Sequence, residues 1–274
     1  MNSVSGVKLG SCRNGGPTLR FAILGSLEVN TSSTRISITA PKQRAVLVTL
    51  LLDANNEVPV ERLTRFVWDG QPPAAAQTTL QSYIYRLRQL LQPMTGVELT
   101  TSSAGYRLQV DPAETDIWSF RHLVAEAREK ANRGDLPGSA RDLRAALALW
   151  RGNALAGIPG KLLQQEARFL EDERIAAYED LFTAELELGN HRTIVPELKK
   201  LVSIHQFHET LRAQLMLALY RCSRQAEALH AYAQIRRRLR EDLGIEPGRE
   251  LQNLHRAILE QVAPASLTLP SSAG

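Results

Sequence analysis

The chain has 274 residues, 43% of them hydrophobic and 23% charged, which excludes collagen-like, largely disordered and disulfide-dense proteins. Its length lies near the roughly 250–300 residues at which one core stops growing, so two domains are expected. The net charge of +4 falls entirely within residues 1–112, where eleven Lys or Arg face seven Asp or Glu, whereas residues 113–274 hold twenty-two of each; that asymmetry predicts a first module that meets a polyanion and a neutral second module that meets something else.

Residues 1–17 read as a flexible tail. Short apolar or alternating runs follow at Leu19–Leu24, Gly25–Val29 and Arg35–Thr39, broken by Gly25 and stopped by Pro41, as strands are. Pro41 then opens a helix at its first-turn position, with apolar residues at 46, 47, 50 and 51 in helical spacing. A second short helix spans Pro59 to Trp68 and is broken by Asp69-Gly-Gln-Pro-Pro73. A third runs from about Ala75 to Leu91 and ends at Gln92-Pro93. Val97–Thr101 and Tyr106–Val110, joined by Ser102-Ser-Ala-Gly105, form a hairpin signal. Strands, three helices and a terminal hairpin in this order are those of a winged helix-turn-helix. From Asp111-Pro112 onward the chain turns to long helices rich in Ala, Leu, Arg and Glu.

A repeat is legible in that second part. Leu188-Gly-Asn-His191 and Cys222-Ser-Arg-Gln225 lie 34 residues apart, and the same offset matches Leu186 to Tyr220, Val195 to Leu229, Leu198 to Tyr232 and Leu201 to Ile235. Arg133-Gly-Asp135, followed by Ala140 and Leu143, is an earlier copy at irregular spacing. A period of 34 is the tetratricopeptide length, so residues 113–262 read as a short helical solenoid, with 263–274 as a second flexible tail. The fold expected is mainly α with a small β component: an N-terminal winged helix-turn-helix over 18–112, then a tetratricopeptide-like α-helical domain.

The third helix carries the functional signal. At about 100° per residue, Leu80, Ile84, Leu87 and Leu91 share one narrow stripe that must face the core. Opposite lie Thr78, Ser82, Tyr85, Arg86 and Gln89, with Gln81 and Arg88 on one flank and Thr79 on the other. No Asp or Glu occurs between Gly70 and Val97. Such a face suits the DNA major groove, where Arg forks onto guanine, Gln onto adenine, and Ser or Thr onto either. The alternative function is a protein-interaction scaffold worked by the solenoid, with a merely structural first domain.

Leu24-Gly-Ser-Leu-Glu-Val29, Pro41-Lys-Gln-Arg-Ala45, Trp68-Asp-Gly-Gln-Pro-Pro73, Thr79–Arg88, Asp116-Ile-Trp-Ser-Phe120, Leu149-Trp-Arg-Gly152 and Leu243-Gly-Ile-Glu-Pro-Gly248 together resemble the Streptomyces antibiotic regulatory protein family, from about Leu19 to Val262. The resemblance implies an OmpR-type reading domain followed by a bacterial transcriptional activation domain. It also implies activation of secondary-metabolite genes through direct repeats near the −35 region and contact with RNA polymerase holoenzyme. Lys42 and Arg44 match the family's basic pair and are expected to hold phosphate, and Asp69, Gly70 and Gln71 fall in the loop that touches polymerase. The wing departs from relatives that place an Arg at its tip: here the tip is Thr100–Ala104 and the nearest Arg is Arg107. Phosphate contacts from Thr100, Ser102 and Arg107 are therefore expected in place of minor-groove reading.

Other chemistries find no support. Apolar runs such as Leu50–Leu52 fall far short of the roughly 20 residues of a membrane span. No signal-peptide core opens the chain. Cys12 and Cys222 make neither a disulfide framework nor a zinc knuckle. A cytoplasmic protein without membrane contact is expected. His205 and His208 before Glu209 read as a surface polar cluster, and Arg236–Arg240 as a solvated helix end. Gly157-Ile-Pro-Gly-Lys161 lacks phosphate-loop spacing. No enzyme, cofactor or metal is expected. A long heptad seam is missing and a solenoid differs front from back, so a second protomer is expected head-to-tail on DNA.

Overall fold

The computed structural model describes residues 20–31 and 34–267, so the tail expected over 1–17 and the end of the second tail lie outside the described residues. Two compact units divide the chain. One contains the residues up to Phe120 together with Leu149–Leu170, the other Arg121–Ala148 and the chain from Glu171 onward. The compositional change after Pro112 thus marks where long helices begin, not where the first unit's packing ends.

In the first unit, β1 (Phe21–Ala22), β2 (Glu28–Asn30) and β3 (Arg35–Ile36) form an antiparallel sheet with Phe21 opposite Val29 and Val29 opposite Ile36. Helix α1 (Pro41–Leu52) starts on Pro41 and is buried almost all round, from Ala45 to Leu51. Next come β4 (Glu57–Pro59), α2 (Val60–Val67), α3 (Ala76–Leu91), β5 (Glu98–Thr101) and β6 (Gly105–Gln109). The second sheet has the order β4-β6-β5. Strand β4, three residues ending in proline, carries no alternation for the sequence to show; it lies at the sheet edge, where proline is tolerated. Pro59 faces Gly105 across the register, and a Cβ on Gly105 would fall 2.0 Å from the Val58 carbonyl oxygen. Only glycine lets the two strands approach there.

Residues beyond 112 complete this unit. Asp116, 1% exposed, accepts hydrogen bonds from the Ile23 and Leu24 amides at 2.8–2.9 Å. The amides of Arg151, Leu155 and Ala156 donate to the carbonyls of Leu24, Ile23 and Gly25 at 2.9, 3.0 and 2.9 Å. Trp150 packs edge-on against Phe120, their ring centroids 5.4 Å apart. The backbone carbonyls just after the short strand β1 are satisfied by the Arg151–Ala156 segment, far along the chain, in a way no local pattern announces.

The second unit draws on α4 (Asp116–Asn132), α5 (Leu136–Ala148), α6 (Lys161–Glu187), α7 (His191–Ile204), α8 (Glu209–Arg221), α9 (Gln225–Arg238) and α10 (Arg249–Leu259); the partition passes through α4 and α6. Three helix pairs share one turn. Gly134, Gly189 and Ser223 take positive φ (83°, 81° and 61°). Their amides donate to the carbonyls of Ala131, Leu186 and Tyr220, while those of Asp135, Asn190 and Arg224 donate to Lys130, Glu185 and Leu219. That double bond is the Schellman closure, and it explains the 34-residue match. The first copy is out of phase because the segment 149–160 and the 27-residue α6 intervene. The paired positions Leu186, Leu198, Leu201, Tyr220, Tyr232 and Ile235 are all buried in one cluster. Residues 263–267, expected in the tail, are instead docked: Pro264–Ser266 form a 3-10 turn, and Leu267 packs on that cluster with its carbonyl accepting from Arg221 at 2.7 Å. No described helix is long and apolar enough to cross a membrane.

Candidate nucleic-acid interface

Helix α3 follows its own sequence pattern. Ala76, Leu80, Ile84, Leu87 and Leu91 are buried, a spacing of three and four that turns one stripe inward. That stripe forces Gln77, Thr78, Gln81, Ser82, Tyr85, Arg86 and Gln89 outward, and all seven are exposed. Tyr85 is 63% exposed, far more than a tyrosine kept for packing. The hydroxyls of Ser82 and Thr79 donate to the carbonyls of Thr78 and Ala75, one turn back, at 3.2 and 2.9 Å, which leaves their oxygens able to accept. The Arg86 side chain makes no hydrogen bond or ion pair among the described residues. The face presents donors and acceptors of every neutral kind plus one free guanidinium, and no carboxylate to repel phosphate.

The two arginines of this helix, alike in sequence, differ in place. Arg88 turns to the hairpin: its Nε donates to the Leu99 carbonyl at 2.7 Å and its Nη2 to the Thr101 hydroxyl at 2.5 Å. It holds the wing against α3, and these bonds compete with the base-reading role expected for Arg88. Thr101, which the sequence did not single out, is its partner. In the wing, the Ser102 hydroxyl closes the turn with Gly105 at 3.1 Å, Thr100 is half-buried with its hydroxyl 3.4 Å from the Arg107 carbonyl, and Arg107 lies 3.9 Å from Glu57.

Lys42 is likewise occupied. Its ammonium donates to the Val67 carbonyl at the end of α2 and stands 5.9 Å from the centre of the Trp68 indole, which in turn stacks on Tyr83. A cation at a helix C-terminus and over an aromatic face is doubly stabilised, and this competes with the phosphate role expected for it. Arg44 is half-buried, with a guanidinium nitrogen near Gly157. In the loop after α2, Asp69 and Gly70 take positive φ (51° and 78°). The Asp69 carboxylate accepts from the Leu162 amide at 3.2 Å, in the first turn of α6, whereas the side chain of Gln71 is exposed.

Elsewhere several charged side chains are paired within the chain. Arg236 and Arg240 reach Glu246 at 2.8 and 3.4 Å, and His208 lies 3.4 Å from Glu179.

Two family profiles match the chain: that of the bacterial transcriptional activator domain over residues 115–259, and that of the C-terminal domain of transcriptional regulatory proteins over residues 34–108. The regulatory protein DnrI of Streptomyces peucetius is 38% identical over 250 residues, covering 88% of this chain and 92% of its own. AfsR of Streptomyces griseus is 37% identical, but the match spans only 24% of that longer protein. Among solved structures, Mycobacterium tuberculosis EmbR in complex with a low-affinity phosphopeptide superposes with a TM-score of 0.83 at 32% identity, over 89% of this chain and 65% of EmbR.

Proposed function

Because the chain belongs to the Streptomyces antibiotic regulatory protein family, DNA-binding transcriptional regulators that join an OmpR-type domain to a bacterial transcriptional activator domain, we propose that it activates a secondary-metabolite gene cluster by binding direct repeats near the −35 region and recruiting RNA polymerase. The observation that carries this reading is the carboxylate-free outer face of α3. Arg86 is the guanine fork, Gln81 and Gln89 are the amides for adenine, and Thr78, Ser82 and Tyr85 flank them. Residues 18–112 do the reading, and the backbone of the wing touches phosphate. Gln71 and the helices of 113–262 are left to meet polymerase.

One helix in the groove covers about one turn of duplex, a small footprint for specificity. Two protomers head-to-tail enlarge it, on repeats about one helical turn, roughly 10–11 bp, apart. Footprinting followed by binding to spacer variants tests the arrangement. Half a turn inserted between the repeats should abolish cooperative binding, and a whole turn should partly restore it. A protected palindrome, or unchanged affinity after the half-turn insertion, would refute it.

A further inference from the structure

Arg212, in α8, is only 4% exposed. Burying a guanidinium is costly unless a counter-charge or a full set of acceptors repays it. Arg221, on the same helix, meets that condition by donating to the carbonyls of Leu186, Pro264 and Leu267. Arg212 does not. Its Nη1 donates to the Gln234 side-chain oxygen at 3.3 Å, its Nε is buried without a partner, and no carboxylate lies within ion-pair distance among the described residues.

The guanidinium lines a cavity of about 540 Å³ between α7, α8 and α9, within the range of small-molecule sites. Arg237 and Arg238 stand on the same wall, and neither is ion-paired among the described residues. Glu227 also lines it, but that carboxylate is taken by Arg224 at 2.7–2.8 Å and by Lys199 at 2.9 Å. Burial and the neighbouring Arg238 push the Arg212 pKa below the usual arginine value. Gln234 is itself anchored through its amide nitrogen, 2.9 Å from His230 Nε2, which keeps its oxygen toward Arg212. Apolar Val202, Leu215 and Leu219 line it together with polar Ser203 and Gln206.

A guanidinium in a cleft of mixed polar and apolar lining, backed by two further cations, has the charge of an oxyanion receptor. We infer that this cavity binds a small oxyanionic ligand, a carboxylate or a phosphate monoester, with the guanidinium of Arg212 as its central contact and Arg238 as its second cation. The site shares no residue with the outer face of α3, and its test is run without DNA, so either reading can fail alone.

Calorimetric titration of the full chain at constant ionic strength, with inorganic phosphate and with succinate as probes, tests the site. Saturable binding of either probe is expected, and which one binds more tightly names the ligand chemistry. Arg212→Met should weaken it about 10- to 100-fold, the range for a charge-assisted bond, while melting at or above the wild type without anion because an uncompensated buried charge is gone. If that variant fails to fold, Arg238→Ala decides: a several-fold loss supports the site, and wild-type affinity overturns it. Absence of saturation up to roughly 10 mM, tenfold above a millimolar Kd, or undiminished binding by a folded R212M protein, also overturns it.

Discussion

Arg86→Ala and Arg88→Ala remove the same side chain two residues apart on α3, yet the structure separates their consequences. Arg88 gives up two charge-assisted bonds, to the Leu99 carbonyl at 2.7 Å and the Thr101 hydroxyl at 2.5 Å. A bond to a charged donor contributes about 1.5–3 kcal/mol when enclosed. Arg88 is half-exposed, so solvent screening reduces the pair to about 1–2 kcal/mol of folding stability. The Arg86 side chain has no partner among the described residues, and its removal should change stability by less than about 0.5 kcal/mol. On DNA the order reverses. Losing a fork to guanine should cost about 1–3 kcal/mol and relax preference at one base pair, whereas loosening the wing should weaken all sequences alike. Urea melts measure the first effect, and fluorescence anisotropy against an operator and its single-base variants measures the second. A destabilised R86A protein, or an R88A protein of full stability whose base preference is relaxed at one position, would refute this division of labour.

Lys42→Met should cost about 1 kcal/mol of stability through the lost contacts to the α2 terminus and Trp68, and should leave the salt dependence of DNA binding unchanged; a flatter slope would return Lys42 to the phosphate backbone. Asp116→Ala leaves the Ile23 and Leu24 amides without acceptors and should destabilise by about 2–5 kcal/mol in urea melts. Burial, opposed by those amides and by Arg151, holds the Asp116 pKa above its ordinary value. Its ionisation therefore costs more in the folded chain than in the unfolded one. Wild-type stability relative to Asp116→Asn should be highest below the ordinary carboxylate pKa and decline as pH rises through the folded value; a difference that grows with pH would contradict this sign.

Periodicity and turn chemistry are local, and the sequence resolved what depends on them. The inward stripe of Leu80, Ile84, Leu87 and Leu91 dictates which residues of α3 face outward, since a helix offers only one rotation that buries them. Gly134, Gly189 and the residue at 223 announce the repeated turn, because a left-handed residue closes a helix in the same way wherever it occurs. Tertiary structure alone decided which cations remain available. Lys42, Arg86 and Arg88 are equally basic on paper, but only the packing of α2 and the hairpin beside them supplies carbonyls to two of the three. The same holds for Asp116, which reads as the first acid of a helix and acts as the acceptor for the backbone just after β1, 93 residues away. Arg212 offers no sequence signal at all, one arginine among many. Its significance lies in the missing counter-charge, and whether a charge is compensated depends on every chain segment that folds around it.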